Sequence, residues 1–139
     1  MIVTRRLRLA TEGNNDVVNV TGAVEAEVAS SGIKHGVVTV FVSGSTAGVT
    51  TVEYEPGLVS DLKEAFNRLV PRDLAYRHNL TEGDANGHSH IRASLLGPSI
   101  TIPCEHGRLA LGTWQQLVLV DFDVRPRRRE LIVQIMGEP

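Results

Sequence analysis

The run "IVTRRLRLA" at 2–10 alternates, with Val3, Arg5, Leu7 and Leu9 on one side and Ile2, Thr4, Arg6 and Arg8 on the other. A period of two predicts a half-buried strand. "TEGNNDVVNV" predicts a turn and a short second strand. The period then lengthens: Val20, Val24 and Val28 recur four apart, Thr21 suits the cap of a helix beginning at Gly22, and Gly32 suits its end. "GVVTVFVS" (36–43) and "AGVTTVEYE" (47–55) are β-branched and apolar, and predict two buried strands paired with each other across "SGST". Pro56 fits the first turn of a helix whose apolar positions Leu58, Leu62, Ala65, Phe66 and Leu69 follow at spacings of three and four until Pro71. "SITIP", "GRLALG", "WQQLVLVDFDV" and "ELIVQIM" read as strands separated by Gly, Pro and Arg turns. This order lacks a regular βαβ rhythm. It predicts an α+β fold, mainly an antiparallel β-sandwich with two main helices, in one domain over 1–139.

Composition narrows the partners. A net charge of −2 and a pI near 6.2 give no overall basic field, so nucleic acid is not an expected partner. No apolar run reaches the roughly 20 residues of a membrane span. The start "MIVTRRLRLATEG" has no signal-peptide core, and the single Cys104 cannot form an internal disulfide. The expectation is a soluble, cytoplasmic protein.

Candidate chemistry concentrates in "YRHNLTEGDANGHSHIRASLLG", which holds His78, His88 and His90 beside Glu82, Asp84, Asn79 and Asn86. His88 and His90 would share a face on a strand but point roughly 200° apart on a helix. A loop entering a short helix is expected here. With Gly83 and Gly87 permitting a tight loop, His78, Asp84, His88 and His90 are candidates to meet around zinc or another divalent ion, supported by Asn79 or Asn86. The alternative is a solvated polar loop.

Other segments offer less. "SGSTAGVTT" has hydroxyls and glycines suited to a phosphate but lacks the P-loop pattern, and a plain hairpin turn explains it as well. "RPRRRE" is either a solvated turn or an anion-binding rim or subunit contact. Glu53, Glu55 and Glu105 are possible bases or ligands. Cys104 reads as a small buried hydrophobe rather than a nucleophile activated by His106, and Trp114 as a core or interface anchor.

"VFVSGSTAGVTTVEYEPGL", "YRHN" followed by "GDANGHSHIRASLLGPS", and above all "LALGTWQQLVLVDFD" with "RPRRR" close behind resemble the YjbQ-like family over nearly the whole chain. The resemblance implies a trimer with a site near the subunit boundary, built from the His-rich loop and the Ser/Thr turn. It also implies a secondary thiamine-phosphate synthase activity, in which hydroxymethylpyrimidine diphosphate and a thiazole phosphate are joined with release of pyrophosphate. The matching polar positions are His78, Asn79, Asp84, Asn86, His88 and His90, with Ser45, Thr46, Thr50 and Glu53. "SGST" stands where some relatives have a His-containing turn, and "DAN" where Asp-Gly-Asn is commoner.

On this basis a divalent metal, zinc or magnesium, is expected on His78, His88 and His90, and catalytic roles on Asp84, His88 and Glu53. A phosphorylated small-molecule substrate is expected on Ser45, Thr46, Thr50, Asn79, Asn86, Arg92, Arg127 and Arg128. The alternatives are a metal-dependent hydrolase and a non-catalytic trimeric metal- or small-molecule-binding protein.

Overall fold

The alternating first strand finds its partner at the far end of the sequence. In the computed structural model, which describes residues 1–139, β1 (Ile2–Thr11) runs antiparallel to β8 (Arg127–Glu138), with Leu7 opposite Leu131. The other elements are β2 (Asp16–Asn19), α1 (Thr21–Ser31), β3 (His35–Val42), β4 (Ala47–Glu53) and α2 (Pro56–Leu69). They are followed by α3 (Arg77–Glu82), α4 (Gly87–Leu96), β5 (Ser99–Glu105), β6 (Arg108–Leu109) and β7 (Gln115–Asp121). A five-stranded sheet has the order β1-β8-β3-β5-β6 and a three-stranded sheet the order β2-β7-β4. Every pairing is antiparallel. The α+β class and its mainly antiparallel sheets are as the sequence predicts.

β7 shows how the layers are held. Its "LVLV" run is buried on both faces. Leu117 and Leu119 join the main core with Val24 and Val28 of α1, Val38 and Val40 of β3, and Val133 and Ile135 of β8. Val118 and Val120 instead join Val17, Ala93 and Phe122 under α2 and α4. Phe66 of α2 meets Phe122 at a ring separation of 4.7 Å. Each fully buried Val, Leu, Ile or Phe contributes about 1.5–3 kcal/mol, so this second, smaller cluster is enough to seat the helices on the sheet.

Two local expectations are corrected, whereas the helix expected from Pro56 forms over Pro56–Leu69. The segments at 36–43 and 47–55 do not pair with each other: β3 lies between β8 and β5, whereas β4 pairs with β7 in the other sheet. The "SGST" connection is therefore a crossover between layers, with Ser43 N–H bonded to Glu130 O and Phe122 N–H to Thr46 O. Apolarity reports that a strand is buried but not which strand lies beside it. Thr21 does not cap α1, because its hydroxyl exchanges hydrogen bonds with Leu117 of β7. On α2 no residue is fully buried and Leu69 is 75% exposed, so its apolar stripe covers the small sheet only along Val59, Leu62 and Phe66. Glu55 caps that helix by accepting from the N–H groups of Gly57 and Leu58.

Candidate functional site

Asp121 at the end of β7 and Asp123 just beyond it anchor the site. Asp121 is fully buried and accepts from Arg129 Nε at 2.6 Å, Arg129 Nη2 at 2.9 Å, Thr11 Oγ1 at 2.5 Å and the Asp123 N–H at 3.0 Å. Burial acts to raise its pKa, but these partners outweigh burial and hold the carboxyl below its ordinary value. Thr46 Oγ1 takes a hydrogen bond from Arg129 Nη2 at 2.6 Å and gives one to Asp123 Oδ2 at 3.2 Å. Asp123, equally buried, also accepts from the Val124 N–H, from Asn86 Nδ2 at 3.2 Å and from Arg127 Nε at 2.7 Å. Here too burial is overcome, and the carboxyl is held at about 2.

Asn86 passes this anchorage to α4. Its carbonyl accepts the N–H groups of Ser89 and His90, Asn79 Oδ1 accepts the Gly87 N–H, and Ser89 Oγ donates to Phe122 O at 2.5 Å. Gly87 is required here, because a Cβ would stand 2.6 Å from Tyr76 Cβ. With the first turn so fixed, His88 and Arg92, four residues apart, share one helix face, and His90 leaves on another.

The His88 face borders a cavity of about 210 Å³ lined by Asn14, Asn15, Lys63, Asn67, Arg72, His88 and Arg92. Three cationic side chains and no carboxylate line it. Arg92 is buried and fixed, donating through Nε and Nη2 to Val70 O at 3.0 and 2.8 Å and through Nη1 to Asn15 Oδ1 at 2.8 Å. Asn15 Nδ2 in turn donates to Asn67 Oδ1 at 2.9 Å. The left-handed backbone at Asn14 and Asn15, φ 54° and 66°, turns both side chains in from the β1–β2 connection, a conformation Asn tolerates better than most residues. His88 is only 2% exposed, and its Nδ1 has no hydrogen-bond partner. Burial, reinforced by Arg92 and Arg72 and partly opposed by Asp123 and Asp73, lowers its pKa to about 4, so the ring is neutral at physiological pH.

A second cavity, of about 580 Å³, lies on the other side of the first turn of α4, with Tyr76, Arg77, His78, His90 and Ile91 among its walls. The rings of His78 and His90 are 4.5 Å apart, edge to face, and His78 Nε2 is 3.1 Å from Asn86 Oδ1. The expected ligand set of His78, His88 and His90 is therefore corrected. Two of these rings border one cavity and the third the other, because a helix begins at Gly87 and sends alternate side chains to different faces. No three His, Cys, Asp or Glu side chains of the chain meet to hold a metal ion, so these residues do not fit a single-chain metal cage.

The remaining expected positions scatter. Asp84 is exposed on the α3–α4 loop. Glu53 borders a different cavity with Tyr54 and Trp114, and Ser45 another with Ala93, Ser94 and Pro98. Thr50 is half-buried on β4, opposite Val118. Thr46 and Arg127 bind the buried carboxylates, Arg128 is exposed, and Asn79 braces the start of α4. Trp114 is 73% exposed and is no core anchor. Cys104 is buried, and burial raises its thiol pKa, as suits an inert packing residue.

A sequence model of the family described as UPF0047 protein YjbQ-like matches residues 5–138. The chain belongs to that family. A UPF0047 protein of Methanothermobacter thermautotrophicus is 37% identical over 138 residues, covering 99% of this chain and 94% of that protein. One from Synechocystis is 41% identical over 134 residues, covering 95% and 90%. The crystal structure of a YbjQ-like protein of unknown function from Sulfolobus solfataricus superposes with a TM-score of 0.94 at 33% identity, covering 99% of both chains. A YjbQ/UPF0047 protein of Clostridium acetobutylicum gives 0.87 at 33% identity, covering 95% of this chain and 99% of that one.

Within this UPF0047 fold, sequence reasoning missed Asn14, Asn15, Lys63, Asn67 and Arg72. Lys63 and Asn67 are four apart on α2, as surface polar residues often are. The signal available was their helical spacing together with Arg72 just past the helix-ending Pro71, but what they face is set by packing against β2 and α4. No helix of the structure is long and apolar enough to cross a membrane.

Proposed function

We propose that this UPF0047 protein is a cytoplasmic enzyme acting on phosphorylated small molecules, a transferase in the manner of thiamine-phosphate synthesis. The observation that carries this is the cavity beside His88, where Lys63, Arg72 and Arg92 converge without a carboxylate. Such a cavity suits a phosphate or diphosphate. Guanidinium groups match phosphate oxygens in pairs, and preset donors stabilise negative charge as it develops on a departing pyrophosphate. Arg92 has its orientation fixed by Val70 and Asn15 before any ligand arrives, so little reorganisation accompanies binding. The neutral His88 adds no repulsion toward a cationic ring and no further positive charge. In this reading the divalent cation enters with the substrate diphosphate, as magnesium does, rather than resting in a three-histidine cage.

Assembly as a trimer belongs to the same proposal. Leu74, Leu80, Ile91 and Leu95 are 56%, 86%, 46% and 66% exposed on and around α3 and α4, an apolar surface that a neighbouring subunit would cover. Light scattering on the purified protein gives the subunit number.

The test of activity is incubation with hydroxymethylpyrimidine diphosphate and the thiazole phosphate in magnesium. Thiamine phosphate and pyrophosphate are expected in equal amounts, with a loss of tenfold or more in Arg72→Met. Absence of product at any metal, alongside saturable pyrophosphate binding, would replace the enzyme with a binding protein.

A further inference from the structure

The contact between His78 and Asn86 has a direction that the surrounding groups fix. Asp123 accepts the Val124 N–H, the Arg127 guanidinium and the Thr46 hydroxyl, and it is ionised, so it has no hydrogen to give. The Asn86 group facing it at 3.2 Å must therefore be the amide NH2, and the group facing His78 at 3.1 Å must be the amide oxygen. An oxygen acceptor requires a hydrogen on His78 Nε2. Asn86 is 3% exposed and its backbone is held in the first turn of α4, and reversing the amide would set its oxygen against the Asp123 carboxylate.

From this we infer that Asn86, oriented by Asp123, is a positioning residue that locks His78 in the Nε2–H tautomer and leaves Nδ1 as a bare acceptor in the cavity shared with His90. The site then takes a ligand that presents a hydrogen-bond donor, a hydroxyl or a ring N–H, to His78 Nδ1. Tyr76 and Ile91 supply flat apolar wall beside it, and the His90 ring closes one side at 4.5 Å. The inference does not depend on the anion reading of the other cavity, and the two can fail separately. The same carboxylate that braces the sheet thus dictates, through one amide, which nitrogen of a half-buried imidazole is available.

Long-range 1H–15N correlation spectra of the protein labelled at histidine nitrogen test this. In the wild type, at a pH where the ring carries a single hydrogen, His78 should show that hydrogen on Nε2 and none on Nδ1. Asn86→Ala should turn that single form into a mixture of both tautomers, whereas loss of a merely structural brace would lower stability and leave the tautomer unchanged. A wild-type spectrum with hydrogen on Nδ1, or an unmixed Nε2–H pattern in Asn86→Ala, overturns the inference. Should Asn86→Ala fail to fold, the wild-type spectrum and Asp123→Asn, whose amide no longer dictates the orientation of Asn86, decide it in the same way.

Discussion

The two sides of the first turn of α4 are built from the same short segment and differ in nearly every property. On one side His88 is buried and neutral among Lys63, Arg72 and Arg92, in a small cavity walled only by polar residues. On the other, His90 and His78 stand in a larger cavity with Tyr76 and Ile91. Two histidines separated by one residue thus serve different surroundings. Imidazoles close in sequence are not a cluster until the backbone between them is known, and a helix disperses what a strand would gather.

Both sides depend on the Asp121–Arg129 and Asp123–Asn86 anchorage, so breaking it should abolish the contrast. Arg129→Met leaves a buried carboxylate without its bidentate partner and should cost about 3–5 kcal/mol in urea denaturation. A cost under about 1 kcal/mol, with both cavities intact, would mean that the ion pair does not organise them.

The contrast sharpens with acid. His88 has its folded pKa lowered from 6.5 to about 4, so between those values the unfolded chain binds more protons than the folded one, and stability falls as pH falls through that window. The loss amounts to about 3 kcal/mol, at 1.36 kcal/mol per pKa unit. Asp123, held at about 2, adds a further loss only below its unfolded value near 3.8. Replacing His88 with Gln should remove the upper window and leave the lower one, which thermal melts from pH 7 to 3 would reveal.

Anion binding should separate the two sides. Arg72→Met and Lys63→Met each remove a charge from the first cavity without touching the core, and each should weaken pyrophosphate binding by about 10- to 100-fold, the range for a charge-assisted hydrogen bond. The melting temperature should move by no more than a few degrees. His90→Ala, on the far side of the turn, should change pyrophosphate affinity by less than about twofold. Equal losses in His90→Ala and Arg72→Met would merge the two cavities into one site.

Much of this fold was legible in the chain, and the gaps have physical causes. Alternation at Ile2–Thr11, the four-residue spacing of Val20, Val24 and Val28, and Gly32 in a left-handed cap all report local geometry, which sequence encodes directly. Strand partners are not local. Val38 and Val49 are equally apolar whether their strands pair with each other or lie in separate sheets, so the crossover at 43–46 left no trace in the pattern. The candidate site divides in the same way. The segment holding His78, Asn86, His88 and Arg92 stands out by composition. Lys63, Asn67 and Arg72 resemble solvent-facing residues, and the β1–β2 turn that brings Asn14 and Asn15 to them lies about fifty residues away in the chain.

The most direct test is a pyrophosphate titration of 15N-labelled wild-type protein at moderate salt, followed through backbone amides and arginine side chains. Saturable shifts at Asn14, Asn15, Arg72, His88 and Arg92, weakening as salt is raised and absent from Tyr76 and Arg77, are the expected result. Shifts confined to the His78 and His90 side, or no saturable shift at all, would contradict the assignment of the polyanion to the cavity beside His88.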